Sequence, residues 1–318
     1  MIRRLAVGLL AAPPVHGLLR RRALRGRPLT VLCYHTLGPD SGGIDGWTVL
    51  READFRAQIA FLRSRYEIVD LDTALDAGPG GDRPRAVLTF DDGDRGLHAH
   101  LRPILLETGL PVTIYVATAQ FETGRPFWFD RVVNALQGSG EIRVPGLGSW
   151  TLPAAGGKPR WEVIRRILAA LKAVPEAGRE ALADAVVAAG SPCRGPGLGP
   201  MGLDALREMA AIPGVTIGAH SHGHELLDRI PLADARRSID RSRALLRDWT
   251  GREIRHFAFP NGNHDPALCA AARALGLASA AILGERLAAP GTDPFMLPRI
   301  SVGRYDGPQR FRLRLVGL

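Results

Sequence analysis

Two short stretches carry most of the chemistry in this 318-residue chain: Thr89-Phe90-Asp91-Asp92-Gly93 and, 128 residues after Asp92, His220-Ser221-His222-Gly223-His224. Two adjacent ionised carboxylates repel each other unless a cation is near, so the aspartates suit a division of labour in which one binds metal and the other works beside it. Histidines four residues apart share one face of a helical turn, roughly 5–6 Å between Cβ atoms, which is close enough to share an ion. An Asp-His-His donor set with open positions suits metal-assisted hydrolysis. His222, between the two, is expected to point away.

The elements that must position these groups can be read from the flanking residues. Arg85-Ala86-Val87-Leu88-Thr89-Phe90 is a short apolar run between Pro84 and Gly93, a buried strand entering a turn. Successive strand residues face opposite sides, so both aspartates can serve one site only if the chain bends, and Gly93 permits the bend. Gly214 to Ala219 reads as a second strand that delivers the histidines at its outgoing end. Leu29 to Tyr34 reads as a third, and it ends on His35, a candidate acid.

Taken together, these segments resemble the motifs of the polysaccharide deacetylase family (NodB-homology domain, carbohydrate esterase family 4). Thr89 to Gly93 is similar to its first motif and the His-x-x-x-His element to its second. Phe257-Ala258-Phe259-Pro260-Asn261-Gly262 resembles the third, and Leu297-Pro298-Arg299-Ile300 resembles a late segment of the same subgroup. The similarity runs over most of residues 28–304. It implies that Asp92, His220 and His224 hold a divalent metal ion, with zinc the first expectation and cobalt, nickel or iron acceptable to the same donors. It also implies that Asp91 acts as base. The Tyr34-His35 pair resembles a rearranged subgroup in which the acid, here His35, comes from the start of the domain. Where many members carry Arg in the third motif this chain has Ala258, so Asp91 must be oriented from elsewhere; Arg299 is the preferred source and Arg255 the less favoured one.

The rest of the chain is consistent with an α/β architecture. Strand-like runs at Leu29–Tyr34, Tyr66–Leu71, Ala86–Phe90, Pro111–Ala117, Val215–Ala219, Arg255–Phe259, Ser279–Leu283 and Phe295–Val302 alternate with helical patterns at Ala53–Arg65, Leu97–Thr108, Leu232–Trp249 and Pro266–Leu275. That is the rhythm of a parallel barrel, and the resemblance implies a distorted (β/α)7-type barrel. The rhythm breaks at about 122–213, where Trp161–Ala173 and Pro175–Ala189 read as amphipathic helices of a mainly helical insertion. Phe127-Trp128-Phe129 opens it, read as pinning the insertion to the barrel in preference to stacking on sugar rings. Residues 192–200 read as a loop. The domains are thus a basic segment at 1–27 and a catalytic domain at 28–318.

The net charge of +9 is concentrated at the start: residues 1–27 hold seven Arg and no acid, leaving 34 basic against 32 acidic residues elsewhere. No nucleic-acid motif accompanies the basic composition, so nucleic acid is not an expected partner. The first 27 residues instead resemble a membrane-surface element, because the apolar stretch Leu5–Val15 is too short to span a bilayer and is broken by Pro13-Pro14. A signal peptide is the alternative, but Arg20-Arg21-Arg22 falls where a small-residue cleavage site would stand. Cys33, Cys193 and Cys269 have no paired spacing and indicate neither a disulfide framework nor a cysteine zinc site. A cytoplasmic or peripheral inner-membrane location is favoured, with export the alternative. The expected activity is removal of N-acetyl groups from a bacterial polysaccharide or glycan precursor. The alternatives are an O-acetyl esterase or other amidase on the same scaffold, and a weakened carbohydrate-binding protein.

Overall fold

The computed structural model describes residues 7–76, 83–192 and 195–318. Seven parallel strands close into a barrel: β1 (Thr30–Tyr34), β5 (Arg85–Phe90), β6 (Val112–Val116), β9 (Val215–Ala219), β10 (His256–Ala258), β11 (Ser279–Leu283) and β12 (Leu297–Ser301). The ring runs β1-β12-β11-β10-β9-β6-β5 and closes where β5 pairs with β1, Val31 lying beside Val87. This is the (β/α)7-type barrel expected. An eighth strand, β4 (Glu67–Ile68), pairs with β5 outside the ring, and β2 (Thr36–Gly38) pairs with β3 (Val49–Arg51) in a separate two-stranded sheet. The run read as a strand over Tyr66–Leu71 is cut to these two residues because Asp70 accepts a hydrogen bond from the Thr73 backbone N–H at 2.7 Å and starts the helix Leu71–Asp76.

The two-residue period of the strands sorts their side chains into two clusters. Leu32, Tyr34, Leu88, Phe90, Ile114 and Phe257 point outward into the main core beneath the helices. Val31, Val87, Tyr115, Ala258, Ala281 and Leu297 form a separate cluster inside the barrel. Continuing the inward register one step along each strand reaches Cys33, Thr89 and Arg299, and one step beyond Thr89 is Asp91. The strand pattern therefore aims Asp91 and Arg299 into the barrel mouth.

The helix read over Leu97–Thr108 is a π-helical turn, Leu97–Leu101, running into an α-helix, Arg102–Thr108. Pro103 sits at the junction and has no N–H for the α-helical ladder, which accounts for the change of winding there. The other three expected helices are present within a residue or two, at Glu52–Arg65, Leu232–Thr250 and Pro266–Ala274.

The insertion contains α-helices α1 (Trp128–Ala135), α2 (Lys158–Ala173) and α3 (Glu176–Ala189), together with an antiparallel hairpin, β7 (Gly140–Val144) and β8 (Gly148–Leu152). It has a core of its own, including Val132, Leu136, Ile142, Ile167, Leu171, Val186 and Leu198. Its bounds are narrower than the sequence suggested. Phe121 at one end, and Leu206, Met209 and Ile212 at the other, pack into the barrel's core, so the unit with a separate core ends near Leu198. Arg160 ties it to the barrel side by an ion pair with Asp45 at 2.9 Å.

Within the basic N-terminal segment, residues 13–23 form a helix docked on the barrel domain. His16 is buried against the Arg312 carbonyl at 3.0 Å, and Arg20 donates to the Arg65 carbonyl at 3.0 Å. Leu9 and Leu18 remain exposed. No helix among the described residues is long and apolar enough to cross a membrane. Cys33 and Cys269 are buried free thiols, whereas Cys193, within the loop read at 192–200, lies outside the described residues.

Candidate metal centre and cleft

Asp91 and Asp92 follow β5 directly, and the bend that separates them is made by Asp92 itself, at φ 72°, together with Gly93 at φ 76°. Such values are rare for a residue with a Cβ. Four of the six non-glycine residues with positive φ among those described, Asp92, Ser221, His224 and Asn261, lie in the loops around this mouth. Backbone strain of this kind, on the order of 1–3 kcal/mol per residue, persists where the surrounding structure enforces it, and its clustering here points to function.

The histidines do not lie on a helical turn. After β9 the chain passes through an irregular loop in which Ser221 (φ 62°) and His224 (φ 57°) are left-handed, and this bend brings the two rings to 5.0 Å between centroids. The four-residue spacing thus serves the expected proximity by a different backbone path. His222 turns aside to Thr118 Oγ1 at 2.9 Å and Glu122 at 3.5 Å.

One ligand atom from each of Asp92, His220 and His224 lies within 4.8 Å of the others. His224 Nε2 is 3.3 Å and His220 Nε2 is 3.6 Å from Asp92 Oδ1. His220 Nδ1 is 2.7 Å from the Ala258 carbonyl, which can only accept, so Nδ1 carries the proton and Nε2 presents its lone pair to the pocket. Asp92 Oδ1 is buried without a hydrogen-bond donor. Burial pushes the His220 imidazole down to about 4, which keeps it neutral. Burial alone would raise the Asp92 carboxyl, but His224 beside it outweighs this and holds it well below the usual range. A neutral imidazole with a fixed tautomer and a carboxylate oxygen without a donor match what a divalent ion needs from its ligands.

Asp91 lies beside this group and is held differently. Arg299, wholly buried, grips it with two bonds, Nη1 to Oδ1 at 2.6 Å and Nη2 to Oδ2 at 2.8 Å, and Nη1 also donates to Thr89 Oγ1 at 3.1 Å. The Cys33 thiol adds a donor at 3.4 Å. Desolvation would raise the Asp91 carboxyl, but the Arg299 charge and hydrogen bonds, with His220, keep it below its ordinary value and therefore ionised. Arg255 pairs instead with Asp72 at 3.1 Å, away from the pocket. Of the two arginines expected as partners of Asp91, Arg299 makes the contact and Arg255 does not.

His35, at the end of β1, borders the same cleft, with its ring 6.1 Å from that of Trp47 and its buried Nδ1 unpartnered. It lies in the same cleft as Asp91 and Asp92. The cleft, about 370 Å³, lies between the barrel mouth and the insertion. Phe127 and Phe129 stack on each other at 5.5 Å and reach the His224 ring at 5.6 and 5.0 Å. Trp128 and Phe129 line the cleft wall, and Trp128 also packs against the insertion's core. The sequence reading did not single out Trp47, Trp161, Asp130 or Lys172, which also line it. These residues come from separate elements, with no local motif to announce them.

A closed parallel barrel thus carries a pocket of carboxylates and imidazoles at its mouth. The sequence profile of the polysaccharide deacetylase family matches residues 197–280, the stretch that includes His220, His224 and the Phe257–Gly262 segment. The fold is similar to that of the Streptococcus pyogenes deacetylase PplD in complex with acetate, at 14% identity and TM-score 0.59, over 91% of this chain and 98% of that one. It is similar to IcaB from Ammonifex degensii at 21% identity and TM-score 0.58, over 91% and 98%. A de-N-acetylase from Aggregatibacter actinomycetemcomitans matches at 14% identity and TM-score 0.57, over 90% and 99%. No curated protein matches the chain in sequence.

Proposed function

We propose that this protein is a metal-dependent hydrolase that removes N-acetyl groups from a polysaccharide or glycan precursor. The observation that carries the reading is the convergence of Asp92, His220 and His224 on one point, with Asp91 ionised and gripped by Arg299 alongside. Asp92, His220 and His224 would hold the divalent ion, which when bound supplies Lewis-acid activation of a carbonyl and a lowered pKa for a water.

The remaining work falls to side chains of the chain itself. Asp91, kept ionised by Arg299, takes the proton of the attacking water. Arg299 fixes both carboxylate oxygens and so fixes the direction in which the base faces. His35, in the arrangement of the subgroup with an N-terminal Tyr-His pair, gives a proton to the departing sugar nitrogen, which would otherwise leave as an amide anion. The products are acetate and a free amine. Phe127, Phe129 and the insertion wall limit the access of bulk water to this side of the pocket.

The Arg299 contact supports the enzymatic reading over a weakened, binding-only protein, since Asp91 has a cationic partner. The proposal is tested by measuring acetate released from N-acetylated oligosaccharides before and after chelation and metal return. Activity should vanish and come back, and should fall by about 10²–10⁴ in Asp91→Asn. Release that survives chelation, or an active Asp91→Asn variant, would contradict it.

The arginines and exposed Leu9 and Leu18 of the N-terminal segment support peripheral attachment to an anionic lipid surface as part of the same proposal. Sedimentation with anionic but not neutral vesicles is the expected result, and equal sedimentation with both would remove this part.

A further inference from the structure

We propose that the insertion wall of the cleft is a second subsite, selective for a glycan that carries an acidic group, either carboxylate or phosphate, next to the sugar whose acetyl group reacts. The inference rests on the deacetylase reading for the position of the reacting sugar, but the subsite is argued from its own residues.

Lys172, in the last turn of α2, lines the cleft and has one hydrogen-bond partner, the neutral Asn261 Oδ1 at 3.0 Å. Arg179, on α3, lines the same cleft and donates only to backbone carbonyls, Leu171 O at 3.3 Å and Val174 O at 3.0 Å. Neither has an ion-pair partner among the described residues. The third cation of the wall, Arg165, is already paired with Glu162 at 3.1 Å.

The C-terminal end of α2 accounts for part of this charge, because a helix end carries roughly half a negative charge. Two positive charges against about half a negative one leave the α2–α3 side of the wall electropositive, and burial pushes Asp130, the carboxyl contributed by α1, well above its ordinary value and so toward its neutral form. Lys172 faces the same cleft as Asp92, whose charge acts on it against the lowering by burial. Trp128 and Trp161 border the same wall, and Arg179 lies over the Trp128 ring at 5.6 Å from its centroid. Aromatic faces for sugar rings beside unpaired cations are the chemistry that recognises an acidic oligosaccharide.

The test uses three acetylated oligosaccharides of equal length: neutral, uronate-containing and phosphorylated. Binding is measured by calorimetry in Asp91→Asn protein loaded with zinc, and KM in the wild type where acetate is released. An acidic ligand should bind about tenfold more tightly than the neutral one at low salt. Lys172→Gln should abolish that preference and leave the neutral ligand unchanged. Asn261→Ala, which removes the partner but keeps the charge, should retain it. Whichever acidic ligand shows the preference identifies the group received. Equal affinity for all three ligands, or a Lys172→Gln variant that weakens all three alike, would overturn the subsite. Because binding is read without turnover, loss of acetate release with the preference intact would refute the deacetylase reading alone.

Discussion

The Asp91–Arg299 pair has opposite consequences for activity and stability when it is broken from either side. Arg299 has no exposure, so its removal strands an ionised carboxylate in the barrel mouth. Arg299→Met should cost about 3–5 kcal/mol in urea unfolding, and Asp91→Asn in the same background should recover part of the loss. Additive costs would show that the two groups do not act as a pair. His220 sets a pH dependence of the metal-free protein. Its folded value of about 4 lies below the ordinary value of about 6.5, so between these limits the unfolded chain binds more protons and stability falls as pH drops. From pH 7 to pH 5 the loss should be about 2 kcal/mol. Thermal unfolding of chelator-treated wild type and His220→Gln should therefore diverge in pH slope, and parallel slopes would refute the assignment.

At the scale of elements, strands carried the most readable signal and loops the least. The apolar runs marked each barrel strand because burial on both faces demands them, and the period-2 rule placed Arg299 inside once Leu297 was known to face inward. The loop after β9 could not be read in the same way. Two histidines four apart fit a helical turn equally well, and the left-handed Ser221 and His224 leave no mark in residue type. The hairpin β7–β8 was legible in principle, with Ile142 and Val144 inward and Glu141 and Arg143 outward, but it stood in a stretch read as helical. The Pro260-Asn261-Gly262 turn makes the element-scale prediction. Gly262 has φ 74°, and a Cβ there would lie 2.6 Å from the Leu283 backbone N. Gly262→Ala should cost about 1–3 kcal/mol in chemical denaturation, since both the backbone and a neighbouring strand resist it. A neutral substitution would show that this turn can relax.

The whole molecule consists of a barrel and an insertion with separate cores meeting at one cleft. The sequence marks an insertion at about 122–213 only by a break in the strand-helix rhythm, and pattern alone cannot place its bounds, because Leu203–Ala211 has the same amphipathic pattern whichever core it serves. The separate cores predict separable effects. Leu171→Ala, in the insertion core, should cost about 2–5 kcal/mol and weaken glycan binding, while leaving zinc affinity nearly unchanged. Loss of zinc binding in that variant would show that the barrel mouth depends on the insertion.

The central claim is that three side chains from two distant loops hold one ion and leave Asp91 free. Calorimetric titration of chelator-treated protein with zinc tests it most directly. One ion per chain should bind in the wild type and in Asp91→Asn, and binding should be lost or weakened by orders of magnitude in His224→Ala. A wild-type protein that takes up no zinc, or a His224→Ala variant that binds it as tightly as the wild type, would contradict the account.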